Sequence, residues 1–181
     1  MRDETVSKNY AETLFALGEK HHATAEYGAA LDAVARLIDE DAKFRTFLDT
    51  PRIEDEERKL VVKKAFDGNM PANVVNFVLV TIDKRRQRLL REISRQYNTL
   101  LDAHLGREHV EVTLAREADD ATEKLIASKL TGVLGKEAIP HFRVKPEIIG
   151  GLMVRTGNTI YDGSVRRRLD DMRRQLLRAS I

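Results

Sequence analysis

Five histidines are the residues of this chain best suited to chemistry near neutral pH: His21, His22, His104, His109 and His141. Two ligands on one helix face need a spacing such as H-x-x-x-H, and no pair has it. His21-His22 reads as a polar loop between helices, and His104 and His109 flank a change of sequence period. Adjacent acids such as Asp119-Asp120 and Asp170-Asp171 arise readily among 29 carboxylates and carry no specificity for acid–base work. Gly132-Val-Leu-Gly-Lys136-Glu137 is not a phosphate loop. It has two residues between its glycines where four are required, and Glu137 where Ser or Thr should follow the lysine. Gly135 is better read as a helix C-cap. Gly150-Gly151 precedes a strand, whereas a dinucleotide fingerprint follows one. The pair therefore reads as a bend where a side chain would not fit. With no Cys, thiolate metal sites, disulfides and Cys nucleophiles are excluded. No Ser/His/Asp constellation can be proposed from spacing. The expectation is a protein with no catalytic group, no cofactor and no metal.

Two arginine clusters remain. Lys84-Arg85-Arg86-Gln87-Arg88 with Arg91 spans a break between helices, and Arg166-Arg167-Arg168 with Arg173, Arg174 and Arg178 coats the last helix. Each is either a solvated face, with long stems covering apolar surface, or a docking surface for an acidic partner. Aromatics for base stacking are nearly absent beside them, so a protein partner ranks above RNA. The whole chain, 31 Lys+Arg against 29 Asp+Glu for a net charge of +2, gives little field for nucleic acid.

The elements that must position these residues change character once along the 181 residues. Residues 4–105 read as six helices with short breaks, an antiparallel bundle. Val6, Tyr10, Leu14 and Leu17 mark the first, with Ser7 or Thr5 as its cap. The second carries Tyr27, Leu31, Val34 and Ile38. Asp41 to Asp49 is the third, stopped by Pro51. The fourth opens in the acidic run Glu54 to Glu57 and should bury Val61, Val62, Ala65 and Phe66. The fifth, Asn73 to Lys84, is apolar on most of its circumference, which suits a central helix or a groove wall. The sixth, Gln87 to Leu105, sets Leu90, Ile93, Tyr97, Leu100 and Leu101 on one stripe.

After Gly106 the period becomes two. His109 to Leu114 alternates as a half-buried strand, and Ala118 to Gly135 returns to helix with Leu125, Ile126, Leu130 and Val133/Leu134 on one face. Phe142/Val144 and Leu152/Val154 alternate again. Gly157-Asn158 is a hairpin signal, and Ser164 caps a final helix whose apolar positions are Val165, Leu169, Met172 and Leu176. The fold class is mainly α: an N-terminal six-helix bundle, residues 1–105, then a small α+β domain, residues 106–181. The N-terminal residues have no apolar run of the secretory kind, and no segment approaches about 18 consecutive apolar residues. Membrane association is therefore expected only through a partner, without direct insertion.

The run Ile149-Gly-Gly-Leu-Met-Val-Arg-Thr-Gly-Asn-Thr-Ile-Tyr-Asp-Gly-Ser-Val-Arg-Arg-Arg-Leu169 resembles the delta subunit of bacterial F-type ATP synthases, relatives of the mitochondrial oligomycin-sensitivity-conferring protein. Weaker matches follow in the same order upstream: Tyr10-Ala11, Phe47-Leu48 before Pro51, Lys59, Asn76-Phe77, Arg85-Arg86 and Tyr97. The resemblance covers nearly the whole chain. It implies a non-catalytic stator subunit of the ATP synthase. The N-terminal domain would bind the N-terminal helices of the alpha subunits, and the C-terminal domain the b-type peripheral stalk. The head is thereby kept from turning with the rotor. It also implies a peripheral position at the cytoplasmic face of the bacterial cell membrane and a monomer when isolated, with no nucleic-acid partner. In the family, a groove between the first and fifth helices receives an alpha-subunit helix. By position Tyr10, Thr13 and Leu14 would face it from one side, and Asn76 and Val80 from the other. Thr13 stands where a small Ala is expected. Val154, Ile160 and Leu169 are expected in the C-terminal core, and Arg167 and Arg168 at the stalk. The competing reading is a basic RNA- or ribosome-associated module using the arginine helix.

Overall fold

The computed structural model describes residues 2–179 and is mainly helical with a small four-stranded sheet. It divides into two compact units, Met1–His104 and Leu105–Ile181. The first holds α1 (Arg2–Lys20), α2 (Thr24–Glu40), α3 (Ala42–Asp49), α4 (Asp55–Phe66), α5 (Ala72–Asp83) and α6 (Leu90–His104), with a 3-10 turn at Gln87–Leu89 before α6. Local chemistry explains the boundaries. The Asp41 carboxylate accepts the backbone N–H groups of Lys43 and Phe44 at 2.8 and 3.1 Å, which fixes the start of α3. The Pro71 carbonyl accepts those of Val74 and Val75 and opens α5. The cap expected at Ser7 or Thr5 is a correction, because α1 already runs from Arg2. Ser7 lies inside the helix, and its hydroxyl donates back to the Asp3 carbonyl at 2.9 Å.

Two apolar clusters hold this unit. Ala11, Leu14, Tyr27, Leu31, Val74, Ile93 and Tyr97 form one; Val34, Ile38, Leu48, Val62, Phe66, Val75, Val78, Ile82 and Leu90 form the other. Helix α5 serves both, Val74 in the first and Val75, Val78 and Ile82 in the second. That dual duty is why its sequence is apolar nearly all round. Helix α4 corrects the expected burial: Val61 and Ala65 are exposed, and Val62 and Phe66 point inward with Arg58. Arg58 is 3% exposed. Its guanidinium donates to the Asp55 carboxylate at 2.6 Å and to the Thr50 and Ile53 carbonyls at 2.8 and 3.1 Å, pinning the segment before α4.

The second unit contains β1 (Arg107–Leu114), α7 (Asp120–Leu134), β2 (Glu137–Val144), a 3-10 turn at Pro146–Ile148, β3 (Leu152–Thr156), β4 (Thr159–Asp162) and α8 (Val165–Ala179). The sheet order is β2-β1-β3-β4. Strands β1 and β2 are parallel, joined by α7, and the other pairs are antiparallel. Val110, Val112, Leu114, Ala138 and Val154 pack against Ile126, Leu130 and Leu134. Leu125 and Val133, expected on that helical face, are exposed. The packed stripe runs at intervals of four through Ile126, and its two flanks stay in water. Gly135 ends α7 in the left-handed conformation, φ 69°.

Candidate protein-binding interfaces

Among the described residues no group of three or more metal-ligating side chains is positioned to hold a metal ion. The structure does join two histidines that sequence spacing kept apart. Strands β1 and β2 run parallel with Glu111 opposite His141, which places His141 diagonally beside His109. His109 Nδ1 and His141 Nε2 are 2.7 Å apart. The ring planes are 13° apart with centroids separated by 5.0 Å. Such close nitrogens with distant centroids mean edge-to-edge rings sharing an N–H···N hydrogen bond, a bond in which one ring must donate and the other accept.

The first arginine cluster is largely engaged within the helical unit. Arg85 lies 3.7 Å from the Asp55 carboxylate, Arg88 3.1 Å from Asp49 and Arg91 3.0 Å from Asp39. Arg86 donates to the Tyr10 hydroxyl at 3.1 Å and sits 5.5 Å from the centre of its ring. Such exposed pairs contribute about 0–1 kcal/mol each, so their effect is to orient helices and lower the charge offered to a partner. Lys59 joins α4 to α5 similarly. Its ammonium meets Asp83 at 2.8 Å and Glu56 at 2.6 Å, and these bonds raise its pKa above the ordinary lysine value.

Helices α1 and α5 meet where the Tyr10 ring contacts Phe77 edge-on, 5.9 Å between centroids. Tyr10 is half-buried. Thr13 is exposed, its hydroxyl donating to the Asn9 carbonyl at 2.7 Å. Asn76 is exposed, and Val80 is 46% exposed on the most apolar helix of the chain. Leu14 differs from these: at 1% exposure it lies in the core with Val74. It can support a groove from beneath but cannot touch an occupant, which corrects its expected contact role. Beneath the same region Tyr97 is fully buried. It donates to the Thr24 carbonyl at 2.9 Å, and burial pushes its phenol up to about 12.

At the other site, the Ser164 hydroxyl accepts the Arg167 backbone N–H at 3.1 Å and so caps α8. Asp162 accepts the Ser164 N–H at 2.9 Å, and bonding to Ser164 holds its carboxyl below the usual carboxylate range. Helix α8 is tied at its first turn, where the Val165 N–H donates to the Gly150 carbonyl at 2.9 Å. A strained bend precedes that bond. Ile149 has φ 69° and ψ −41°, and the Gly150 N–H reaches the Ile148 carbonyl at 2.8 Å, a γ-turn of the rare, strained hand. Gly151 is required next to it, because with φ 76° a Cβ would run into the Gly163 carbonyl.

Beyond its first turn α8 lies open. Arg167 and Arg168, the residues the resemblance puts at the stalk, are exposed. Val154 is core, but Ile160 and Leu169, also expected there, are 56% and 51% exposed. Val165, Met172 and Leu176 are exposed with them. An amphipathic pattern specifies that a face is apolar; here the chain's own sheet does not cover it. This exposed stripe is the feature sequence reasoning missed, although its spacing was legible.

Comparison with known proteins gives a consistent answer. The profile of the family "ATP synthase delta (OSCP) subunit" matches residues 6–176. A protein of Gemmatimonas aurantiaca named ATP synthase subunit delta is 40% identical over 176 residues, covering 97% of this chain and 95% of that one. Its counterpart in Symbiobacterium thermophilum is 32% identical over 99% of this chain and 96% of its own. In fold, the chain resembles one from the cryo-EM structure of the Toxoplasma gondii mitochondrial ATP synthase hexamer, with TM-score 0.66 at 18% identity over 94% of this chain and 97% of that chain. A chain of the Polytomella F-ATP synthase aligns with TM-score 0.51 at 16% identity, over 54% of this chain and 87% of its own. On this evidence the chain belongs to the ATP synthase delta (OSCP) subunit family.

Proposed function

We propose that this chain holds the catalytic head of the ATP synthase to its peripheral stalk through two separate surfaces, one on each compact unit. As a delta/OSCP subunit it is structural and non-catalytic, a component linking head and stalk, and its partners are the alpha subunits and the peripheral stalk. In the finer reading, α1–α6 act as one six-helix bundle, and the groove between α1 and α5 takes an N-terminal alpha-subunit helix. That is helix-in-groove recognition. Tyr10 and Thr13 would touch the incoming helix from α1, and Asn76 and Val80 from α5, with Leu14 as buried support. The observation that carries this reading is Val80, an apolar side chain left 46% exposed four residues after exposed Asn76 on a helix otherwise serving two cores. The stalk contact is assigned to α8, including Arg167 and Arg168.

A tether under rotary load is better served by apolar burial, at about 25 cal/mol per Å², than by screened surface ion pairs. Both surfaces offer apolar groups. No helix among the described residues is long and apolar enough to cross a membrane. The reading therefore puts the chain at the membrane only through its partners, on the cytoplasmic face. The alternative of an RNA- or ribosome-associated module is not supported: the family is that of a synthase subunit, and the first arginine cluster is largely paired internally. The test is a chemical-shift map of the ¹⁵N-labelled chain titrated with a peptide of the alpha-subunit N-terminus. Shifts centred on Tyr10, Thr13, Asn76 and Val80 are expected. Shifts confined to residues 165–178, or none at all, would sink the groove.

A further inference from the structure

The hydrogen-bonded histidines of the sheet unit play no part in either proposed binding surface, and their geometry has a second use. His109 and His141 lie on the sheet face opposite α7, one on β1 and one on the edge strand β2. Both are exposed. Their facing nitrogens, His109 Nδ1 and His141 Nε2, are 2.7 Å apart. Two imidazole nitrogens that share one ion at about 2.0–2.1 Å, at right angles or tetrahedrally, stand about 2.8–3.4 Å from each other. The pair is within a few tenths of an ångström of that bite. Ring direction is what separates the hydrogen bond from a chelate. The two lone pairs now aim at each other, and a swing about the soft terminal torsion of each histidine aims both at one point outside the sheet. The parallel ladder holds the two Cα atoms while the rings turn.

Charge on that face admits a cation. By strand alternation it carries Arg107, Arg143 and Arg155 with Glu111, Glu137 and Asp162, three of each sign. Arg107 is paired with Glu137 at 2.9 Å and Arg143 with Glu111 at 2.7 Å, so the arginines on the histidines' own strands are already neutralised. We propose that His109 and His141 form a two-nitrogen clamp for a borderline divalent transition ion, Zn²⁺, Ni²⁺ or Cu²⁺, with water in the remaining positions. Imidazole suits these ions, whereas Mg²⁺ and Ca²⁺ take oxygen ligands. Two protein ligands fall short of the four of a structural zinc site, so the ion is exchangeable and the fold does not depend on it. Its effect is on the sheet edge. Among the described residues β1 is the only strand neighbour of β2, and an ion held by one residue of each ties the two together. Binding also fixes the tautomers: both facing nitrogens give their lone pairs to the ion, so the ring protons sit on His109 Nε2 and His141 Nδ1. The expectation of no metal rested on spacing along a helix, and this pair is built across two strands from residues 32 apart in sequence.

The test uses the full chain, freed of metal by a chelator, with Zn²⁺ as the probe. Imidazole ¹⁵N spectra should show one equivalent of Zn²⁺ moving His109 Nδ1 and His141 Nε2, with the protons left on His109 Nε2 and His141 Nδ1. His109→Ala and His141→Ala should each weaken binding about 100-fold, the loss of the second of two tethered contacts. Both side chains are exposed, so neither substitution should disturb the fold. His21→Ala with His22→Ala should bind like wild type, and millimolar Mg²⁺ should not compete. Zn²⁺ should raise the unfolding midpoint of wild type and leave that of His109→Ala unchanged. Wild-type affinity no tighter than that of the double variant His109→Ala/His141→Ala would overturn the proposal. So would Zn²⁺ shifts at His21, His22 or His104 in place of the pair, or a His109–His141 hydrogen bond that survives saturating Zn²⁺. Sedimentation showing two chains per ion would also overturn it, because the clamp is built within one chain.

Discussion

Helices α6 and α8 are both strongly amphipathic, yet one is buried along its stripe and the other is not. In α6, Leu90, Ile93 and Tyr97 are among the most buried residues of the chain. In α8, Leu169, Met172 and Leu176 face solvent at the same kind of spacing. Apolar period tells which face of a helix must be covered; whether the cover comes from the same chain depends on which elements pack against it. In the helical unit, α1 and α2 close over α6. In the sheet unit, α7 covers one sheet face and α8 is held by its first turn. The first unit uses its amphipathic pattern to fold, and the second leaves part of its pattern exposed to solvent.

Substitutions at matched positions would break or sharpen that contrast. Tyr97→Ala should be the most damaging, destabilising the chain by about 3–5 kcal/mol in chemical denaturation, the range for deleting a fully buried aromatic. The phenol adds a pH signature. Its folded pKa of about 12 lies above the ordinary 10.0, so its contribution is complete below pH 10 and is lost as pH rises through 12. Alkaline unfolding followed by tyrosinate absorbance checks it. Gly151→Ala should cost about 2 kcal/mol or more, since a positive φ and a backbone collision cannot both be relieved. Ser164→Ala should cost about 1 kcal/mol by removing the α8 cap. Leu169→Gln should move stability by no more than about 0.5 kcal/mol, as exposed substitutions do. A large loss there would mean that α8 belongs to a core, and the contrast with α6 would disappear.

Features governed by short-range chemistry were legible. Gly135 as a left-handed cap, Ser164 as an N-cap and the positive φ of Gly157 in the hairpin turn depend on neighbours a few residues away. Features set by long-range partners were not. Arg58 was overlooked because a count of apolar periodicity passes over a cation, although it completes the inward stripe of α4 with Val62 and Phe66. The His109–His141 bond follows from a parallel register that neither strand encodes alone. The resemblance puts Leu169 and Ile160 in the core, and both are exposed, because an apolar pattern does not name the element that covers it. Leu14 differs the other way: its position beside the groove suggests contact, and packing puts it underneath. Serine favours helix starts, which is why the sequence points to Ser7 as a cap, but a helix interior also accommodates it when its hydroxyl bonds back to a carbonyl.

The central claim is that two separate surfaces join two partners. It is tested most directly by titrating the full chain with the alpha-subunit N-terminal peptide and with the stalk segment, singly and together, in wild type, in Val80→Asp and in the pair Leu169→Gln/Leu176→Gln. The account predicts a ternary complex with wild type, loss of the alpha peptide alone with Val80→Asp, and loss of the stalk segment alone with the leucine pair. Competition between the two ligands, or one variant losing both, would contradict it.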